Sequence, residues 1–559
     1  MNYFPLVDDR EDVADLLRIP LKTLTYILYV KGTDNCYKTF EIPKKAGGTR
    51  AICAPSEELK TIQKRLADCL WDYQKDIWGK ESIHPNLSHG FIKGKSIFSN
   101  ASIHKNKRYV LNLDLVDFFN TIHFGRVCGY FEKNRYFRLA HEAAVTLAQL
   151  TCYKRSLPQG APSSPIITNL ICQVLDFHLL KIAKDFHADY TRYADDLTFS
   201  TNDHAFLNNY ERFLSRITLE IERNGFSVNT QKTRLQFRNS KQIVTGLVVN
   251  KKINIDRNYY RLTRAMANQL YKKGEFSIAG TTASLNQLEG RFAFIDQISH
   301  FNNKRDCQKH DANCLSGKER DYQAFLFYKY FFANDLPIII TEGKTDIVYI
   351  KAALMNLYKD YPNLIQKDPS GGFRFKVSFL KRTKRWRYFF MISPDGADTF
   401  SYLYNCFRDT KGNPPNYIKS FKKLSGKAPQ NPVFLVFDNE TISNRPLKKF
   451  LQSNGVSRVA KEALQNELFC RPLDDANLYL LTIPLIGGKS ECEIEDLFSE
   501  DVLNQVIDGR SFDRKVEKGD RMHYGKEVFS KYVYSHYKVI DFSRFKPLLD
   551  SLSLIISSN

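Results

Sequence analysis

Apolar positions fall at three- and four-residue spacings through residues 1–30, where Val13, Leu16, Leu17, Leu21 and Leu24 would line one helical face. The same period returns at 57–71, with Leu59, Ile62, Leu66 and Leu70 on the inner side. Between these helices KKAGGTR, at 44–50, is a basic Gly-Gly turn of the kind that closes a hairpin. Two later runs read as strands. YVLNLDLVDFFN at 109–120 carries Asp114 to a strand end, and YTRYADDLTFS at 190–200 sets Asp195 and Asp196 on a turn between two short strands. Residues 251–310 read as helical, and 316–334 as a connector that is polar first and then aromatic. After it the pattern changes. Apolar runs at 336–341, 432–437 and 478–484 read as buried strands, with a helix from Asp346 to Leu357 behind the first, which is the alternation of an α/β domain.

Charge alters this picture more than composition does. With 559 residues, 43% apolar and 26% charged, the chain has the make-up of an ordinary globular protein and room for two or three domains. Its 82 Lys+Arg against 61 Asp+Glu favour a polyanionic partner, since each neutralised phosphate releases counterions. The stretch 251–310 alone holds 11 basic against 5 acidic residues, which makes it a candidate nucleic-acid groove; a solvated helix face is the alternative. No basic segment followed by an apolar one opens the chain and no long apolar run appears, so neither a secretory signal nor a membrane anchor is expected. Eleven scattered cysteines fit a reducing cytoplasm.

The paired aspartates suggest a reaction. Nucleotidyl transfer uses two cations that clamp the attacking hydroxyl, the leaving pyrophosphate and the phosphorus between them. Asp114 and Asp195 are the expected ligands, with Asp196 as a third carboxylate, and Mg²⁺ the expected ion, for which Mn²⁺ can substitute. In SLPQGAPSSP at 156–165, the small residues after Gln159 and Gly160 would let backbone approach a base pair. Lys232 would meet a triphosphate, and Arg50 would hold it from the opposite side. Phe118, four residues past Asp114, would exclude a ribose 2′-hydroxyl; plain core packing is the alternative for that ring.

The ordered set of Arg50, SHGFIKGKSI at 88–97, Asp114, LPQGAPSSP, YADD and Lys232 resembles reverse transcriptases of the bacterial, group II intron-related kind. NASIH at 100–104 is similar to the N-A-x-x-H motif of retron reverse transcriptases, and Val244-Thr245-Gly246 matches their V-T-G motif. The resemblance covers about residues 1–315. It implies a right-hand polymerase, with fingers and palm over 1–250 and a basic, mostly helical thumb over 251–315. It also implies dNTP substrates, a cognate non-coding RNA, priming from a guanosine 2′-hydroxyl, and a branched RNA–DNA product (msDNA). Asn100, Ala101, His104, Val244, Thr245 and Gly246 would by the same resemblance recognise that RNA; for His104 the alternative is a surface imidazole.

Residues 335–559 carry a second set of acids. LPIIITEGKTD ends a strand in Glu342 and turns at Gly343, a second strand ends in Asp438-Asn439-Glu440, and ECEIED follows at 491–496. Ligands of open α/β sheets gather at the carboxyl ends of strands, so three such groups suggest a second metal site. The pattern resembles a TOPRIM domain, the fold shared by topoisomerases, primases and certain nucleases, with Glu440 standing where that family has Asp. The resemblance implies Glu342 as general acid/base and Asp438 and Glu440 as Mg²⁺ ligands, with Asp346 and Glu495 weaker candidates for a second ion. Retron enzymes fused to such domains are regarded as anti-phage systems, which implies a nuclease effector whose target nucleic acid the sequence does not name. His300, Cys307, His310 and Cys314 lack the close cysteine pair of a zinc site.

The expected architecture is therefore multi-domain, α+β followed by a TOPRIM-like α/β domain over 335–559, in a bacterial cytoplasmic enzyme free of membrane, with homo-oligomerisation left open. Two rival readings stay beside it: an intron maturase or mobile-element reverse transcriptase, and an RNA-binding scaffold in which only the TOPRIM half acts.

Overall fold

The Gly-Gly turn joins two strands: Tyr37–Pro43 (β1) runs antiparallel to Thr49–Pro55 (β2), with Ile42 opposite Arg50. The computed structural model describes residues 4–44, 47–80, 87–305, 311–393, 400–412, 414–517 and 519–558. These form two units, Met1–Arg257 and Asn258–Asn559.

In the first unit the helix Glu57–Lys80 buries Leu59, Ile62, Leu66 and Leu70, the stripe expected from their spacing. A four-stranded antiparallel sheet is its centre. Tyr109–Asp114 (β3), Asp189–Tyr193 (β4), Asp196–Thr201 (β5) and Arg234–Phe237 (β6) lie in the order β4-β5-β3-β6. The register sets Asp114 opposite Asp196 across β3 and β5. Ser164–Asp185 is long and apolar enough to cross a membrane by length and composition, but 67% of its apolar window is buried inside the protein, as befits a core helix. Tyr210–Arg223 packs beside it through Phe213, Ile217 and Ile221, a four-residue period. The short hairpin of Ile243–Val244 (β7) and Leu247–Val248 (β8) turns at Thr245-Gly246, both at positive φ (46° and 81°), the pair of left-handed residues a tight hairpin turn demands.

The second unit begins with the helices Arg257–Lys273 and Leu285–Arg305, separated by the hairpin Ser277–Ile278 (β9) and Thr281–Thr282 (β10). The segment 316–334 is no passive connector. Gly317–Phe327 is helical, Tyr328–Phe332 prolongs it as a wider π turn, and Tyr322, Phe325, Leu326, Phe327 and Phe331 are buried. The same core takes in Ala267, Leu270, Leu288 and Phe292, so the helices expected to form a thumb share an interior with the α/β part. That part contains Ile338–Thr341 (β11), a hairpin of Ile365–Lys367 (β12) and Phe373–Phe375 (β13), Ser378–Phe379 (β14), Val433–Phe437 (β15), Phe469–Cys470 (β16) and Leu478–Thr482 (β17). Its sheet runs β14-β11-β15-β17-β16, parallel except at β16. The strands β11, β15 and β17 are buried at every position, the continuous apolar pattern of a parallel sheet covered on both faces.

Candidate active sites

A cleft of about 680 Å³ opens in the first unit, lined by Arg50, Asp114, Phe118, Gln159, Asp195 and Lys232 among others. Six residues drawn from five places in the sequence thus line one cavity. The hairpin between β4 and β5 makes this happen: the Leu115 amide donates to the Asp195 carbonyl (3.0 Å), fixing the turn to the end of β3. Asn229 holds the same strand end from the other side, its amide on the Asp114 carbonyl at 2.8 Å. Lys232 reaches Asp114 itself, Nζ lying 2.9 Å from Oδ1 and 3.1 Å from Oδ2. Its ammonium therefore sits on a carboxylate, the position a cation would share when phosphates enter.

Burial first, then the charges of Asp195 and Asp114, push Asp196 up to about 7, although its outer edge is open to solvent. Burial and the Asp114 charge also raise Asp195. Mutual repulsion of this kind is relieved by a divalent cation, and three hard oxygen donors suit Mg²⁺. Asp114 and Asp195 both line the cleft, whereas Asp196, opposite Asp114 across β3 and β5, is not among its lining residues. Phe118 is 4% exposed, stacked on Phe226 (5.7 Å) and edge-on to Phe119, so it packs in the core while one edge lines the cleft. Gly160 shows a close approach within the chain itself: a Cβ there would meet Ile52 Cγ2 at 2.9 Å and the Cys53 carbonyl at 3.0 Å, both on β2. Gln159 completes that seam by accepting from the Cys53 amide at 2.8 Å.

Behind the turn lies a buried ion pair that sequence reasoning missed. Arg192, fully buried, donates to both oxygens of Asp176 at 2.8 Å and to Asn169 at 3.1 Å. Its backbone exchanges hydrogen bonds with Leu87 and His89, so the 88–97 segment is laid along β4. Gly90 then touches the turn: a Cβ there would stand 2.5 Å from the Ala194 nitrogen. Only the quoted motif at 88–97 hinted at this, since nothing local marks Gly90 as a neighbour of Ala194.

Four of the six residues assigned to RNA need correction too. Asn100, Ala101 and His104 are all 0% exposed, and Val244 likewise, so these four do not reach a ligand in this fold. His104 Nδ1 lies 2.7 Å from Ser200 Oγ and Nε2 2.7 Å from Thr191 Oγ1. Thr191 Oγ1 also lies 2.6 Å from Asn100 Oδ1, so Asn100, Thr191, His104 and Ser200 form one buried hydrogen-bonded chain. The motif braces helix Ile97–Ile103 to β4 and β5. Thr245 joins the brace through the Ile97 carbonyl (3.4 Å), which leaves Gly246 exposed at the turn.

In the second unit Glu342, Asp438 and Glu440 bring one carboxylate oxygen each to within 4.8 Å of one another. Glu342 follows β11 and Asp438 follows β15, both at carboxyl ends of neighbouring parallel strands. Glu440, despite its longer stem, reaches the same point. Burial first, then Asp346 and Glu440, push Glu342 up to about 7, and burial with Asp346 and Glu342 raises Asp438 well above the carboxylate range. One Glu342 oxygen is buried without a hydrogen-bond partner. An orphaned oxygen in an all-carboxylate cluster fits a hard divalent ion.

The weaker candidates fall beside this cluster, outside it. Asp346 accepts from the Gly343 amide at 2.7 Å, and a Cβ on Gly343 would lie 2.5 Å from Asp346 Oδ1, so that pair shapes the turn. Glu495, 0% exposed, is held by Lys526 at 3.0 Å, which also takes Glu493 at 3.1 Å. Of the proposed zinc set, His300 pairs with Asp296 (3.2 Å) and Cys314 is exposed, while Cys307 and His310 lie outside the described residues.

Residues 42–272 match the family model described as reverse transcriptase (RNA-dependent DNA polymerase). The chain is 33% identical over 304 residues to the retron Ec86 reverse transcriptase of Escherichia coli, covering 54% of this chain and 88% of that protein. It is 32% identical over 315 residues to the retron Mx65 reverse transcriptase of Myxococcus xanthus, covering 53% and 69%. Among solved structures, a Candida albicans telomerase complexed with a telomeric RNA fragment superposes at a TM-score of 0.32 with 12% identity, over 61% of this chain and 60% of that one. So loose a superposition carries no argument.

Proposed function

The chain belongs to the retron reverse transcriptases, and from that premise we propose that the cleft around Asp114 and Asp195 copies a cognate non-coding RNA into msDNA from a guanosine 2′-hydroxyl. The observation that carries this is the convergence of Arg50, Asp114, Phe118, Gln159, Asp195 and Lys232 on one cavity. Asp114, Asp195 and Asp196 would hold Mg²⁺, which would supply Lewis-acid stabilisation of the transferred phosphoryl group. Arg50 and Lys232 would receive the triphosphate, Lys232 being the ammonium that pairs with Asp114 in this structure. Phe118, wedged against Phe226, is the rigid wall against a ribose 2′-hydroxyl.

The second unit is a TOPRIM-like effector that cleaves phosphodiesters with a divalent cation in anti-phage defence. Glu342, Asp438 and Glu440 hold the ion, and the unpartnered Glu342 oxygen supports that assignment. The test is paired. Asp195→Asn with Asp196→Asn should abolish msDNA in cells while the protein stays soluble and folded. Glu342→Gln should leave msDNA at the normal level and remove phage protection and Mg²⁺-dependent cleavage. Undiminished msDNA from the first variant sinks the polymerase site, and undiminished protection from the second sinks the effector.

A further inference from the structure

Residues 371–390, GGFRFKVSFLKRTKRWRYFF, hold seven Lys+Arg and no Asp or Glu. Six of the seven are exposed; Arg385 pairs with Glu289, and the other five, Arg374, Lys376, Lys381, Lys384 and Arg387, pair with no carboxylate among the described residues. Their place in the sheet gives the run a direction. β14 lies parallel to β11, with Ile339 opposite Phe379. Counting two residues on, Lys381 leaves the sheet level with Thr341, at the carboxyl end where Glu342 stands.

Arg382 ties the two together. Only 9% exposed, its guanidinium donates to the Thr341 carbonyl from Nε (3.2 Å) and Nη2 (2.7 Å), and to the Ser393 carbonyl at 2.6 Å. The backbone bearing Glu342 and the base of the cationic run are thus fastened to each other. Beside them a cleft of about 600 Å³ is lined by Lys381, Lys384, Arg385 and Trp386 among others, and its one acid, Glu289, is already paired with Lys329 and Arg385. Of the seven aromatics in this run, Trp386, Phe389 and Phe390 are at most 6% exposed, and Phe373, Phe375, Phe379 and Tyr388 are half-buried, so none stands fully open for stacking. What the surface presents is positive charge on a rigid edge, suited to a phosphate backbone and indifferent to base identity.

We infer that the edge formed by Arg374, Lys376, Lys381, Lys384 and Arg387 is the docking surface for the nucleic-acid backbone that the Glu342–Asp438–Glu440 cluster acts on. The inference rests on the reading of that cluster as a phosphodiester-cleaving site. It specifies how substrate is held: through phosphates, independent of sequence, by a strip that delivers the strand to the carboxyl end of β11. Lysines on an edge strand also discourage sheet-to-sheet association, and that simpler role makes a different prediction.

The test uses the full chain carrying its own RNA, in chelator, with fluorescent duplex DNA and duplex RNA of about 30 base pairs and arbitrary sequence as probes. Lys376→Gln, Lys381→Gln, Lys384→Gln and Arg387→Gln are combined in one variant. A control variant removes equal charge at the exposed Lys449, Lys515, Lys531 and Lys538. Each lost phosphate contact lowers the salt slope of log K by about 0.9, so the strip variant should lose about 3 to 4 and bind tenfold or more weakly. The control should bind as the parent does, and msDNA synthesis should be unchanged in both. Equal losses in the two variants, or none in either, overturn the inference; self-association of the strip variant with binding intact shows the edge to be protective only. Because binding is read without metal, strip-dependent binding with no Mg²⁺-dependent cleavage keeps the docking surface and removes the nuclease reading. Cleavage that survives in the strip variant does the reverse.

Discussion

His104 is held neutral by its surroundings. Burial first, then His89 and Lys107, drive its pKa from the usual histidine value down to about 3, and its two ring nitrogens face the hydroxyls of Ser200 and Thr191. The sign of the linkage follows. Below about pH 6.5 the unfolded chain takes up a proton on this residue, while the folded chain refuses it until about pH 3. Stability from the neutral imidazole is therefore complete above pH 6.5 and drains away as pH falls through that window, at up to about 1.4 kcal/mol per pH unit. His104→Gln, which does not titrate, should show a shallower acid limb than the parent in urea unfolding between pH 6 and 4. Parallel limbs would mean that His104 is already solvated and does not brace β4 and β5. The same residue shows what a motif can hide: its spacing marks it as special, but only the fold reveals that it touches Thr191 and Ser200 rather than RNA.

One helix and one strand, Ser164–Asp185 and β4, are locked by Asp176 and Arg192, and this lock stands directly behind the turn that carries Asp195. Removing one partner of a buried ion pair strands the other charge, at a cost of about 3 to 5 kcal/mol. Asp176→Ala should lower unfolding stability by that amount and depress cDNA synthesis with it. Asp176→Asn combined with Arg192→Gln keeps neutral hydrogen-bonding groups for Tyr190 and Asn169, and should recover at least half the loss in denaturant titrations. If the single and double variants are equally destabilised, the pair's charge is not what holds helix to strand. Such long-range pairs explain where sequence reading stops. The strands bearing Asp114, Asp195, Glu342 and Asp438 were legible because apolar periodicity is local and each ends in an acid. Asp176–Arg192 and Gly90–Ala194 were not, since each depends on which elements become neighbours. The segment 316–334 misled for a related reason: its polar start suggested a linker, but Tyr322, Phe325, Leu326, Phe327, Tyr328, Phe331 and Phe332 are all buried, so the helix is enclosed on most of its circumference by the core.

Across the whole molecule, one physical arrangement occurs twice: acids at strand ends, crowded enough that Asp196 and Glu342 are each pushed up to about 7. Without a cation such clusters are held together against their own repulsion, and with one they become an asset. Replacing a member by its neutral isostere should therefore act in opposite directions under the two conditions. Asp195→Asn and Asp438→Asn should each raise the unfolding midpoint in chelator, because a crowded charge is gone while the isostere still offers an acceptor; Asp438 Oδ1, for instance, takes the Ile494 amide at 2.9 Å. In saturating Mg²⁺ each variant should instead lose part of the gain that the ion confers, a gain of about 2.7 kcal/mol for a site at one hundred times its dissociation constant. The two acids belong to different units and share no hydrogen-bond partner among the described residues, so their effects should add. Midpoints measured for the parent, both single variants and the double variant, in chelator and in Mg²⁺, check all of this together. A variant less stable than the parent in both conditions would show that its carboxylate serves the fold through hydrogen bonds alone, and that cluster would cease to be a metal site.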